Sequence, residues 1–183
     1  TVKDIEYDKA NLVVPRENGI EDILNLRFKK FSNTYKECQE VELVGNVRSY
    51  SHIVDNRNKV DIYVFTYFDK PEQELETTNE LIVDGRICKI DKIRETSAGK
   101  KNIHFIVANN IDVSGNGQKL NSYLPCIAWG KTAKEISNLS INDKIKIHGK
   151  LQSREYKKYI NDDEFELRVA HEVYVDCFEL EHD

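Results

Sequence analysis

The chain has no apolar run approaching the roughly 20 residues that cross a bilayer as a helix. Its opening, TVKDIEYDKANL, lacks the charged-then-apolar order of a secretion signal. No membrane partner is therefore expected. The four cysteines, Cys38, Cys88, Cys126 and Cys177, stand roughly 40–50 residues apart, with no CxxC pair and no His at ligand spacing. That excludes the common zinc patterns. Each thiol lies among apolar, strand-like residues, so all four read as reduced core thiols of a cytoplasmic protein. Also lacking are a Walker-type phosphate loop, a metal-ligand constellation and any Ser/His/Asp or Cys/His arrangement with a recognisable context. The run DDE at 162–164 is no metal site, because three neighbours in a turn point in different directions. The expectation is a protein that is not an enzyme and needs neither cofactor nor metal. The chain begins at Thr1 rather than Met, which suggests a processed, trimmed or partial product.

What is present is ordinary in amount and uneven in placement. With 183 residues, 39% hydrophobic and 32% charged, the chain can bury a core and form one or two domains. Its net charge of −5 argues only weakly about partners, because the charges are segregated. Residues 144–158 carry Lys144, Lys146, Lys150, Arg154, Lys157 and Lys158 against one acid, Glu155. Residues 86–101 carry Arg86, Lys89, Lys92, Arg94, Lys100 and Lys101 against Asp91 and Glu95.

Period-two alternation dominates from residue 80. ELIVDGRICKI (80–90) reads as a strand with a bulge or sharp coil near Gly85, TSAGK (96–100) as a turn, and NIHFIVANN (102–110) as the returning strand. SGNGQKLNS (114–122) reads as a loop and YLPCIAWGK (123–131) as a short strand. TAKEISNL (132–139) suits two helical turns with Thr132 and Glu135 as a capping box. KIKIHGKLQSREYKKY (144–159), a turn at 161–164, and FELRVAHEVYVDCFEL (165–180) form a hairpin. Three strands, a short helix and a two-stranded hairpin are the order of an OB-fold, a five-stranded Greek-key barrel, here over 79–183.

The earlier part repeats this pattern more faintly. VELVGNVRS (41–49) matches IKIHGKLQS (145–153) at an offset of 104, with Gly and Ser in the same places. NGIEDILNLRFKKF (18–31) reads as an amphipathic helix capped by Asn18, with Ile20, Ile23, Leu24, Phe28 and Phe31 on one face. NLVV (11–14) and KVDIYVFTYF (59–68) read as strands. The chain is thus mainly β, with a partial OB-like unit (strand-helix-strand-strand) at 1–73, a linker at 74–79 and a complete barrel at 80–183. The partial unit would supply strands three to five plus a helix. Its missing strands one and two would come from upstream sequence, or a partner would cover the gap.

Four blocks of the second part resemble the bacterial single-stranded-DNA-binding protein family, in order and with fitting gaps. They are DGRICKI (84–90), RETSAGKKNIHFIVANN (94–110), YLPCIAWGKTAKE (123–135) and INDKIKIHGKLQSREY (141–156). The resemblance implies that Tyr123, Trp129 and Tyr156 stack bases; the family's further aromatic after its second strand has no counterpart. It implies work in replication, recombination or repair, and oligomers presenting about four barrels, which two chains of two would satisfy. The family's long C-terminal arm with its acidic, Phe-terminated recruitment tip has no match, since this sequence stops at ELEHD.

Single strands are held without sequence preference by rings that stack on bases and cations that follow phosphates. Alternation puts Tyr123 and Trp129 on one face, and Lys146, Lys150, Arg154 and Tyr156 on one face of their own strand. Arg86, Lys131, Lys157 and Lys158 complete the expected backbone contacts. His148 and His171 read as bystanders. Two other readings stay open: an OB module whose aromatic face is a protein interface, and an RNA-binding OB protein.

Overall fold

The computed structural model describes residues 7–29, 38–54, 56–68, 79–112, 119–161 and 164–181. Residues 74–78 of the expected linker and 114–118 of the expected loop lie outside the described residues, and 119–122, read as loop, are strand instead.

The first half forms β1 (Tyr7–Pro15), β2 (Glu21–Lys29), β3 (Val44–Val54) and β4 (Arg57–Phe68), one sheet in the order β1-β2-β4-β3. The helix expected over 18–31 is corrected: its centre is β2, antiparallel to β1 from Tyr7↔Lys29 to Pro15↔Glu21. The governing period is two. Asp22, Leu24, Leu26 and Phe28 are buried, whereas Ile20 and Ile23, which the helical reading placed on the core face, are 53% and 48% exposed. Asn18 caps a turn instead of a helix. Its side-chain oxygen accepts from the Ile20 N–H, while Gly19 takes the left-handed conformation (φ 79°) and donates to Arg16 O.

The second half comprises β5 (Leu81–Ile90), β6 (Arg94–Glu95), β7 (Lys101–Asp112), β8 (Lys119–Trp129), α1 (Gly130–Ile136), β9 (Lys144–Tyr159) and β10 (Phe165–Leu180). The sheet order β5-β9-β10-β8-β7 closes through β5–β7 pairing into a five-stranded barrel. Its wall is the alternate inward set, including Phe105, Val107, Leu124, Ile145, Ile147 and Val173, and α1 contributes the buried Ala133 and Ile136. The expected capping box is absent. The helix starts at Gly130, Trp129 is its N-cap without a side-chain cap bond, and Thr132 Oγ1 donates to Asp176 O. The bulge foreseen near Gly85 falls between Ile87 and Lys89. Of the four cysteines, all free, only Cys126 is buried; Cys38, Cys88 and Cys177 are exposed, so the core-thiol reading holds for one.

The two halves share a register, not only a pattern. Val47↔Val64 in the first corresponds to Leu151↔Val173 in the second, and Gly45↔Thr66 to Gly149↔Val175. The parallel pair Leu26↔Val64 corresponds to Cys126↔Val173. Even the bulge recurs, Val44↔Phe68 beside Gly45↔Thr66 matching His148↔Cys177 beside Gly149↔Val175. β1–β4 are therefore the counterparts of β7–β10, strands two to five of the barrel, where the alternation alone suggested three to five. Glycine is required at both repeat positions. A Cβ at Gly45 would lie 2.6 Å from Phe65 O, and one at Gly149 would collide with Tyr174 O.

The halves dock through those long hairpins. Asp22, 1% exposed, accepts the Ser153 N–H (2.6 Å) and both Arg16 donors, and Arg16 also reaches Ser153 O. His171, expected to be a bystander, is part of this junction, with Nε2 2.9 Å from Ile23 O and Nδ1 3.5 Å from Asn25 Nδ2.

Candidate nucleic-acid interface

Inward residues of the barrel fix which side chains face outward. Because Leu124, Cys126 and Ala128 are buried in the core, Tyr123, Pro125, Ile127 and Trp129 lie on the outer face of β8. Arg86, Ala108 and Tyr123 are successive partners across β5, β7 and β8, and Lys144 pairs with Arg86 from β9. One outer rung thus runs Lys144–Arg86–Ala108–Tyr123. Tyr123 is 45% exposed and its ring is free to receive another ring. Arg86 donates to Asn142 O, which fixes its guanidinium beside the β8–β9 connection.

A second rung is Lys150–Tyr174–Ile127–His104 across β9, β10, β8 and β7. Lys150 Nζ lies 5.0 Å over the Tyr174 ring, and Ile127 is buried beneath this outer layer. Between the rungs is a groove of about 450 Å³ lined by Lys89, Asp91, Arg94, His104, Ile106, Pro125 and Arg154. It is wide, open and rich in cations, and suits an anionic chain better than a compact ligand.

The groove has an anchor that alternation could not reveal. Glu172 is 4% exposed, and accepts from Gln152 Nε2 (2.9 Å), Arg154 Nε (3.0 Å) and Arg154 Nη2 (3.4 Å). His104 Nδ1 is 4.0 Å from the same carboxylate. Burial pushes His104 below its ordinary value, outweighing the pull of Glu172, so the ring is neutral at neutral pH. Arg154 is thus paired with a buried carboxylate and oriented at the groove's lip, 5.8 Å from the Tyr156 ring.

The expected site residues do not gather at one point. Of them only Arg154 lines the groove; Tyr123 and Arg86 share the first rung and Lys150 lies in the second. Trp129, half-buried and opposite Asn102, lies six residues along β8, about 20 Å from Tyr123 at strand spacing. Lys131 beyond it is 89% exposed and pairs loosely with Glu135 at 3.5 Å. Lys146 sits between Asp84 and Glu179 in register, near the start of β9, and does not line the groove. Tyr156, Lys157 and Lys158 lie on the hairpin beyond the barrel, where Lys157 Nζ covers the Phe165 ring at 4.1 Å. Lys89, Arg94 and His104 were not expected as site residues. The basic stretch 86–101 held a signal for the first two, but nothing in it showed that they converge with β8 and β9.

The fold is an OB barrel with a sheet of matching register packed on it, and the site is a cationic, partly aromatic outer groove. The family model described as "Single-strand binding protein family" matches residues 78–179, and the chain belongs to that family. Among solved structures, a deletion mutant of the single-stranded DNA binding protein from Thermus aquaticus is similar, at TM-score 0.64 and 17% identity. That likeness covers 97% of this chain and 82% of the other, so it extends over both halves and shows the fold. The protein PriB from Ralstonia solanacearum is more distantly similar (TM-score 0.44, 12% identity, 57% of this chain and all of that one) and adds nothing to the argument. No curated protein matched significantly.

Proposed function

We propose that the chain binds single-stranded DNA with little sequence preference, through bases stacked on Tyr123, Trp129 and Tyr156 and phosphates held by lysine and arginine. The observation that carries this reading is the outer face of β8. An exposed ring at Tyr123 stands in one rung with Arg86 and Lys144, and a groove edged by Lys89, Arg94 and Arg154 opens beside it. Lys131, Lys146, Lys150, Lys157 and Lys158 extend the positive track on either side. The chain works as a partial OB-like repeat (1–73), a linker (74–79) and a complete barrel (80–183). Two such chains assemble to present four units, in replication, recombination or repair.

Protein interaction is a second reading, favoured by the hairpin tip, where Tyr159, Ile160 and Leu167 are 65%, 67% and 62% exposed. A low-salt gel shift separates the readings. Labelled oligo-dT should be retarded, an oligo-U of equal length less so, and Tyr123→Ala with Trp129→Ala should weaken retention while the protein stays folded. Absence of any shift would end the DNA reading, and stronger retention of RNA would transfer the site to RNA.

A further inference from the structure

The outer face of the first sheet is chemically unlike the matching face of the barrel, and the shared register makes the comparison position by position. Where the barrel has Ile127, Arg154 and Glu172, the first half has Arg27, Tyr50 and Tyr63. The Arg27 guanidinium carbon lies 4.4 Å from the Tyr50 ring centre and 4.1 Å from that of Tyr63. The Tyr50 ring is stacked on His52 at 5.3 Å with 24° between planes. No carboxylate among the described residues pairs with Arg27. The nearby Asp61 is engaged by Lys59 at 3.0 Å and His52 at 3.4 Å.

The two ring centres are 5.9 Å apart, so the guanidinium rests against both rings without being enclosed by them, and its N–H donors meet no carboxylate among the described residues. In the barrel the corresponding carboxylate, Glu172, ties down Arg154. In the first half that carboxylate is replaced by Tyr63, which positions Arg27 without neutralising it. Tyr50, 38% exposed, continues the face as a platform with His52.

We infer that this face is a second single-strand subsite, in which Arg27 binds a backbone phosphate through its N–H donors while Tyr50 and His52 stack a base. The inference rests on the proposed DNA binding and adds to it that the partial repeat holds the strand by its own set of residues. A protein partner could instead use the same rings, and the test distinguishes the two.

The experiment photocrosslinks 5-iododeoxyuridine-substituted oligo-dT of about 30 nucleotides, close to what two OB units occlude at up to about 16 each. Crosslinked peptides are mapped by mass spectrometry. Peptides from 44–65 and from 119–131 should both carry nucleotide. Arg27→Gln should weaken affinity for this oligomer about ten-fold and flatten the salt dependence by about 0.7, one phosphate's worth, with the thermal midpoint retained. Tyr63→Glu, which supplies the carboxylate that the barrel has, should reproduce that loss with Arg27 still present. Crosslinks confined to 119–131, with affinity and salt slope unchanged in both variants, would overturn this inference and leave the DNA reading standing. Neither crosslinking nor Trp129 quenching in the unmodified protein would overturn both.

Discussion

Ser49 and Ser153 hold equivalent positions in the two halves and each reaches across to the other half in the same way. Ser49 Oγ accepts the Tyr123 N–H at 2.7 Å, and Ser153 Oγ accepts the Ile23 N–H at 2.9 Å. Their own N–H groups donate across as well, Ser49 to Ser122 Oγ and Ser153 to Asp22 Oδ1. Tyr123 and Ile23 are themselves equivalent, so the halves meet about a local two-fold relation. The first half therefore fixes the backbone of the residue proposed to stack a base.

Asp22 makes that junction sensitive to acid. Burial pushes its carboxyl up, but hydrogen bonds from Arg16 and the Ser153 N–H outweigh burial and hold it below its ordinary value of 3.8. A group lowered in the folded state stabilises it fully above the ordinary value, and that contribution is lost as pH falls through the folded value. Asp22→Asn should cost about 1.5–3 kcal/mol at pH 7, the range for a hydrogen bond to a charged group, and progressively less below about pH 4. Denaturant unfolding at both pH values measures it.

Gly149 and Gly45 predict a matched pair of defects. Gly149→Ala puts a Cβ into the Tyr174 carbonyl on β10, and Gly45→Ala does the same against Phe65 on β4. The obstacles are backbone atoms, which cannot rotate away. Each variant should lose about 3 kcal/mol, at the upper end of overpacking. Separate melting of the two variants, followed by near-UV circular dichroism, checks this.

His104 should add little pH dependence to DNA affinity from 8 down to its ordinary value of 6.5, because its folded value lies lower. Below that range the ring gains charge beside Arg94 and Arg154, facing Asp91 and Glu172, and affinity should rise. The same shift means acid disfavours the folded state at this residue, since the unfolded chain binds the proton more readily. His104→Gln should remove its share of the acid rise, measured as affinity for oligo-dT against pH relative to the unmodified protein.

Much of the barrel was readable because one face of each strand is buried, so its alternation is clean; Ile145, Ile147, Gly149 and Leu151 all point inward as period two requires. β2 misled because Ile23, and Ile20 in the turn before it, are apolar yet exposed, which filled in a helical stripe. Its partner β1 lies just upstream, joined to it by the turn at 16–20. Tyr123, Arg86 and Trp129 were singled out by motif order, and the fold puts Tyr123 and Arg86 in one rung. Arg154 was among the expected phosphate contacts, but its tie to Glu172 was not foreseen, since the two residues lie on different strands 18 apart and only the register brings them together. The Arg27–Tyr50–Tyr63 cluster was hidden by the same kind of distance, and by the helical reading of β2.

The most direct test of the account is a fluorescence titration of the sole tryptophan, Trp129, with poly-dT at several salt concentrations. Bound bases stacking on the indole should quench its emission, and log affinity should fall linearly with log salt, at about 0.7 per phosphate neutralised. Emission that stays constant, with no salt-dependent binding at low ionic strength, would contradict it.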